Sequence, residues 1–429
     1  ARHRGEAYVS ATWNWPGSRW WRVDLHTHSP ASHDFKPEAD KVAKDWAAWV
    51  FAAKSRHLDA VALTDHNTPD GIDHVRSAAT AAGDLTIFPG VEVTVGGIHL
   101  LCVFDPAGGR DEVVALLSKL GIEPSDFGDP SVASRKSILE AIEIAAAAGA
   151  VVVAAHVNGP RGLVMLKDGD RLRVLRDPHL AAAELARVPE VVEYPGQWLD
   201  PESEEVQTWL DGTKTGRKLT QVWSSDSHRY TEAGRCFTWV KMTKPNAEGL
   251  RLALLDGDGS VKRMSEVDPN GHADHVIEAI RVHRAKHMGR PDPQTVRFNP
   301  WLNAIIGGRG TGKSTLVDMC RAALRREGEL GDSEKSVLRK ALDKRMRVSD
   351  RAGEGLLTQE TLVEIIYRKD GERFVLSWNQ QGTATPIARL VADDERVSEQ
   401  GDIQERFPVR IFSQKQLFEM AREPSALLS

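Results

Sequence analysis

Between residues 24 and 228 one event recurs: a short apolar run stops, and a histidine or an acid follows. The segments read D-L-H-T-H-S-P-A-S-H-D from Asp24, A-L-T-D-H-N from Ala62, P-G-V-E from Pro89, A-A-H-V from Ala154 and S-S-D-S-H from Ser224. Strand-like runs lie at residues 22–25, 60–63, 85–88, 99–104, 151–155, 191–193 and 219–223, with helical patterns at 37–55, 134–148 and 246–255. Repeated βα units predict an α/β parallel sheet or barrel, whose active groups gather at the C-terminal ends of strands. A His-x-His pair at a strand end sends both imidazoles to one side, because side chains repeat every second residue. His26 and His28 form such a pair, and Asp226 with His228 repeats the spacing. Imidazoles mixed with carboxylates suit Zn²⁺, Mn²⁺ or Fe²⁺ better than Ca²⁺. His3, His57, His74, His179 and His272 lack this company and read as ordinary surface or core residues.

Residues 20–257, with these motifs in this order, resemble the polymerase and histidinol phosphatase (PHP) family. The resemblance implies a distorted seven-stranded β/α barrel holding two or three metals. It implies a first metal on His26, His28, Glu92 and Asp226, and a second sharing Glu92 with His156 and His99. A third would sit on His66 and His228, completed by His33 or Asp34, two adjacent candidates. Glu92, His99 and Asp65 are the candidate catalytic groups, with Asp65 expected to orient a ligand rather than bind metal. His99 also suits a hydrogen-bonded core position. The reaction implied is phosphoester hydrolysis, which needs cations to neutralise phosphoryl oxygens and to acidify water. Arg135, Arg161 and Arg229 are candidates for holding the phosphate, although an arginine so placed is more often an ordinary surface residue.

A second constellation follows. Residues 307–314 match G-x-x-x-x-G-K-[ST], with a strand expected at 299–306 and a helix at 314–326. Backbone N–H groups around Gly308, Gly310, Thr311 and Gly312 would wrap the phosphates of ATP; Lys313 would reach the β/γ oxygens, and Ser314, beside Thr315, would ligate Mg²⁺. A hairpin is expected at 361–367 and 373–378 across Lys369-Asp370-Gly371, and a last strand at 409–412. That strand leads to Gln414, which resembles the Q-loop glutamine of ABC-type ATPases of the chromosome-maintenance (SMC) kind. The later motifs of that class are absent, so the chain is expected to be a fragment carrying an N-terminal lobe. The two parts together resemble the TrlF family of PHP–ATPase proteins, which implies a bacterial defence effector acting on nucleic acid. Residues 1–260 are then the PHP domain and 261–429 the ABC/SMC-like lobe.

Bulk properties limit the alternatives. At 429 residues, more than one domain is expected. A net charge of −5 excludes a generally basic nucleic-acid coat. Residues 321–347 hold nine Lys/Arg against five Asp/Glu, read as a solvated helical face ahead of a phosphate-backbone contact. Cys102, Cys236 and Cys320 are far apart, which fits a reducing cytoplasm and disfavours a thiolate metal site. No apolar run approaches the roughly 20 residues a membrane helix needs. The expected activity is a metal-dependent nuclease gated by an ATP-binding head that pairs with a second copy or a partner protein. The rivals are an ATP-regulated small-molecule phosphatase, and an ATP-dependent nucleic-acid-binding protein with a structural barrel.

Overall fold

The computed structural model describes residues 13–36, 44–187, 197–264, 267–330, 336–350, 353–392, 395–413 and 416. They form two compact units: residues 18–270, and Trp13–Gly17 together with the chain from Gly271 on.

In the first unit the strands are β1 (Arg19–Thr27), β2 (Ala60–Leu63), β3 (Thr86–Val95), β4 (Ile98–Val103), β5 (Val151–Ala154), β6 (Leu180–Leu185), β7 (Thr220–Trp223), β8 (Thr238–Met242) and β9 (Val261–Arg263). The helices are α1 (Trp46–Ser55), α2 (Ile72–Ala82), α3 (Arg110–Leu120), α4 (Ile138–Ala147), α5 (Asp168–Arg176), α6 (Glu204–Leu210) and α7 (Ala247–Asp256). Helix starts follow capping chemistry. Ser137 accepts from the Glu140 N–H while Glu140 reaches back, and Asn246 accepts from the Gly249 N–H. This is why α4 starts later than the expected residue 134. The expected helix over 37–55 is described only from Trp46 in helical form, and the expected strand at 191–193 lies outside the described residues.

The nine strands make one mixed sheet in the order β7-β6-β5-β4-β3-β2-β1-β8-β9. It departs from an all-parallel seven-stranded barrel for local reasons. Gly96 and Gly97, both with positive φ, return the chain in a two-residue turn, so β4 runs antiparallel to β3. Strands β8 and β9 also enter antiparallel, and β9 carries the sheet past residue 260. The sheet curls nearly closed: the Thr238 hydroxyl bonds both the N–H and the carbonyl of Trp223, and the Asp226 N–H donates to the His26 carbonyl at 2.9 Å. Alternate residues of the strands fill the interior, among them Val23, Ala62, Phe88, Leu101, Val153, Ala182, Val222, Val240 and Val261. Helix α7 plugs one end with Leu250, Ala253 and Leu254.

The second unit carries β10 (Val276–His283), β11 (Gln294–Arg297), β12 (Leu362–Lys369), β13 (Glu372–Trp378), β14 (Ile387–Leu390) and β15 (Arg396–Ser398), with α8 (Lys313–Ala323), α9 (Val337–Arg345) and α10 (Ile403–Arg406). Its sheet is antiparallel throughout, in the order β11-β10-β12-β13-β14-β15. The expected hairpin is present, with Asp370 and Gly371 both at positive φ in its turn. Two expected strands are not. Over 299–306, Pro300 brings no backbone donor. Asn299 and Asn303 bond the local backbone, giving it an alternative to a ladder. Leu302 and Ile306 are consequently about nine-tenths exposed or more, at 95% and 90%. Over 409–412, the Ile411 N–H donates to Glu329 and its carbonyl accepts from Arg321, so side chains replace a neighbouring strand.

Phe88 is fully buried in the interior of the first sheet. Phe88→Ala is expected to cost about 3–5 kcal/mol, read as a lowered denaturant midpoint with unchanged slope.

Candidate metal centre

The ligand candidates lie at the carboxyl ends of the inner strands, and the backbone bends to aim them. Val23 and Leu25 face the interior, so strict alternation would turn His26 away. The register of β1 on β2 shifts between Asp24 and Thr27, and this irregularity brings His26 inward. Glu92 shares the inward parity of Phe88 on β3. His156 and Asp226 follow β5 and β7 with φ of 26° and 47°, a left-handed backbone that non-glycine residues hold only where the surroundings enforce it.

Glu92 is the centre of the constellation. Its Oε2 lies 3.0 Å from His26 Nε2, 3.2 Å from His28 Nε2 and 3.2 Å from His66 Nδ1. Its Oε1 lies 2.6 Å from His99 Nδ1 and 3.3 Å from His156 Nε2. Asp226 Oδ1 faces His26 and His28 at 3.3 and 3.4 Å. A neighbouring group joins Asp34 Oδ2 to His228 Nε2 at 2.9 Å and to His66 Nε2 at 3.2 Å. His28–Asp34–His66–His228, His26–His28–Glu92 and His66–Glu92–His99 each keep their ligand atoms within 4.8 Å of one another. The two candidates left open by the sequence therefore separate. Asp34 enters the cluster, whereas His33 is exposed with its ring against Gly128.

The donor set fits divalent cations. Burial opposes charge on His26, His28, Glu92, Asp226 and Asp34, and these five groups overcome it through their charged neighbours, whereas burial prevails at His99 and lowers its pKa. Burial alone would depress the His26 imidazole; Glu184, Glu92 and Asp226 outweigh it and push its pKa well above the ordinary value. His28 is likewise carried to about 10 by Asp226 and Glu92 against burial. Burial would raise the carboxyls of Glu92, Asp226 and Asp34, yet the surrounding histidines hold all three well below the usual range. The cluster thus demands positive charge at its centre, which protons or metal ions supply. The Nε2 atoms of His26 and His28 stand 3.1 Å apart facing the same carboxylate oxygen, an arrangement in which a shared cation satisfies both lone pairs.

Asp65 is placed differently from expectation. Its two oxygens accept from the Ser29 N–H and hydroxyl, both at 2.6 Å, and burial raises its pKa to about 6. It fastens the turn after His28 instead of orienting an imidazole, and Gly71 is required beside it because a Cβ there would collide with both partners. The Arg161 carbonyl accepts from the His99 N–H at 2.7 Å, while Arg135 and Arg229 are exposed. Two further buried acids, Asp24 and Glu184, were not among the candidate ligands. Asp24 accepts from the Ser225 N–H at 3.0 Å and the Gly234 N–H at 3.2 Å. Glu184 accepts from His26 Nδ1 and the His156 N–H, both at 2.9 Å. The signal for Glu184 was a lone acid inside the apolar run L-A-A-A-E-L, which its alanines disguise as helix.

In the second unit Gly310 and Gly312 have positive φ, and Gly312 caps α8. Thr311 donates to the Gly308 carbonyl, and Lys313 Nζ bonds the carbonyls of Gly307 and Gly308 at 2.6 and 2.7 Å. Ser314 and Thr315 stand in the first turn of α8. Gln414 lies outside the described residues.

No protein-family model matches the chain, and no curated protein does. Among solved structures, endonuclease Q from Pyrococcus furiosus is similar at 17% identity over 60% of this chain and 62% of that one, with a TM-score of 0.41. An endonuclease Q complex with a 27-mer duplex carrying an abasic lesion gives 16%, 61%, 63% and 0.40. A candidate metal-dependent phosphoesterase from Bifidobacterium adolescentis gives 18%, 55%, 96% and 0.34. The chain therefore spans about three fifths of the endonuclease Q chains. These are partial backbone overlaps, and the functional reading rests on the site's own geometry.

Asp34→Ala is expected to lower the Mn²⁺ stoichiometry measured by elemental analysis, whereas His33→Ala leaves it unchanged. The reverse pattern would place the third ligand group on the wrong residue.

Proposed function

We propose that the first unit is a metal-dependent phosphoester hydrolase acting on nucleic-acid phosphodiesters, and that the glycine loop of the second unit binds ATP with Mg²⁺. The observation that carries the first part is the buried Glu92 carboxylate, each of whose oxygens is shared between histidines from different strands. His26, His28, Glu92 and Asp226 would hold one ion, and His99 and His156 would hold a second through Glu92. His66, His228 and Asp34 would hold a third. Divalent ions bound there neutralise phosphoryl oxygens and make water a nucleophile at neutral pH.

The protein's own part is to hold these ligands rigidly. The burial of His26, His28 and Glu92 keeps bulk water from competing for them, and the left-handed backbone at His156 and Asp226 fixes two ligands that loops alone would leave loose. A site on strand ends, fed by the loops that follow, leaves its mouth to the substrate.

Purified protein with Mn²⁺ should be given DNA, RNA and a chromogenic phosphomonoester in parallel. Cleavage of a nucleic acid faster than the monoester supports the reading, and turnover of the monoester alone would favour a small-molecule phosphatase. His26→Ala and Asp226→Ala should each abolish cleavage and metal retention together. The loss should exceed the roughly 10–100-fold typical of residues that only support ligands. A metal-free protein that still cuts would overturn it.

For the second unit, the loop's positive-φ glycines, the helix start at Lys313 and the lysine itself fit a polyphosphate. ATP shared between two copies of such a head, with Gln414 reading the γ-phosphate, would gate the nuclease and suit a defence effector. Lys313→Ala should weaken ATP binding in a titration and leave the metal content of the first unit unchanged. Unaltered ATP affinity would remove the phosphate-loop assignment.

A further inference from the structure

We infer that Glu184 is a positioning residue that makes His26 and His156 competent as a metal-ligand pair; this rests on the metal reading above. Glu184 lies on β6 and shares the inward parity of Ala182, one layer nearer the cluster. It is 1% exposed. One oxygen, Oε2, accepts from His26 Nδ1 and from the His156 backbone N–H, both at 2.9 Å.

Each contact has a distinct consequence. A neutral imidazole has one protonated nitrogen and one lone pair. For His26 Nε2 to ligate, the hydrogen must sit on Nδ1, and a buried N–H needs an acceptor. Glu184 supplies that acceptor, so it selects the tautomer, fixes the ring plane and makes Nε2 a stronger donor. The other histidines of the cluster are built differently. The Nδ1 atoms of His28 and His156 have no hydrogen-bond partner among the described residues, and His228 Nδ1 faces the Asp226 carbonyl at 3.1 Å and, at 3.6 Å, the carboxylate of Asp226, itself one of the candidate ligands. Among the described residues, His26 alone has a carboxylate from outside the ligand set behind its ring.

The second contact acts on backbone. His156 sits at φ 26°, a conformation disfavoured for a residue with a Cβ. The bond from its N–H to Glu184 satisfies a buried donor at that position and offsets the strain. The rings of His26 and His156 stack at 5.8 Å between centroids, and their Nε2 atoms approach different oxygens of the Glu92 carboxylate. A single oxygen of Glu184 therefore sets the spacing of two groups that would hold different ions. Its charge adds to those of Glu92, Asp226 and Asp34, which together fall short of the charge of two divalent ions.

The test uses Mn²⁺ titration by calorimetry and Co²⁺ absorption spectra on the whole chain, for the wild type, Glu184→Ala and Glu184→Gln. Glutamine keeps an acceptor for both donors and removes only the charge. Glu184→Ala should weaken Mn²⁺ binding about 10–100-fold at the site containing His26 and alter the Co²⁺ d–d bands. Glu184→Gln should keep the wild-type bands and lose several-fold in affinity. Should the alanine variant fail to fold, histidine ¹⁵N NMR of the Zn²⁺-loaded wild type decides: a His26 that ligates through Nδ1, with its hydrogen on Nε2, overturns the inference. An alanine variant that folds and binds Mn²⁺ as the wild type does would overturn it as well. A wild-type protein that takes up no Mn²⁺ or Co²⁺ would instead overturn the metal reading on which it rests.

Discussion

The first unit is organised around an electrostatic demand. Glu92 places a carboxylate in the interior of a nearly closed sheet, where an uncompensated charge is prohibitively costly. Asp226 and Asp34 add to the demand, and imidazoles from β1, from the end of β2, from β4 and from the loops after β5 and β7 answer it. No stability argument favours collecting so many polar groups in one place; apolar residues of the same volume would serve as well or better. The cost is intelligible if cations complete the cluster.

The backbone carries the marks of this demand. The register shift in β1, the left-handed residues at His156 and Asp226, and the closure between the segment after β7 and the end of β1 all occur within reach of Glu92. Such irregularities cluster at functional sites, and here they aim side chains of the cluster that regular strands would miss.

Much of this was legible in the sequence because strand ends announce themselves. His26, His28, Glu92, His156 and Asp226 follow apolar runs, and the period of two places partners without coordinates. The limits were physical as well. His33 and Asp34 are neighbours in a loop, where no periodicity says which one turns inward. Glu184 hid because alanine runs score as helix. Asp65 looked like a ligand's partner because its position beside His66 says nothing of the Ser29 groups that occupy it. Residues 299–306 looked like a strand because of their apolar run, while Pro300 and two asparagines took the backbone elsewhere. The Lys369–Gly371 turn was readable because Asp-Gly accepts positive φ where few other pairs do.

The central claim is that Glu92 bridges ions rather than protonated histidines. Anomalous X-ray scattering at the manganese edge, from crystals grown with Mn²⁺, measures this directly. The account predicts two or three peaks among His26, His28, His66, His99, His156 and His228, at least two of them about 2.0–2.2 Å from an oxygen of Glu92. A map without anomalous density there, with the imidazoles still hydrogen-bonded to Glu92, would contradict it.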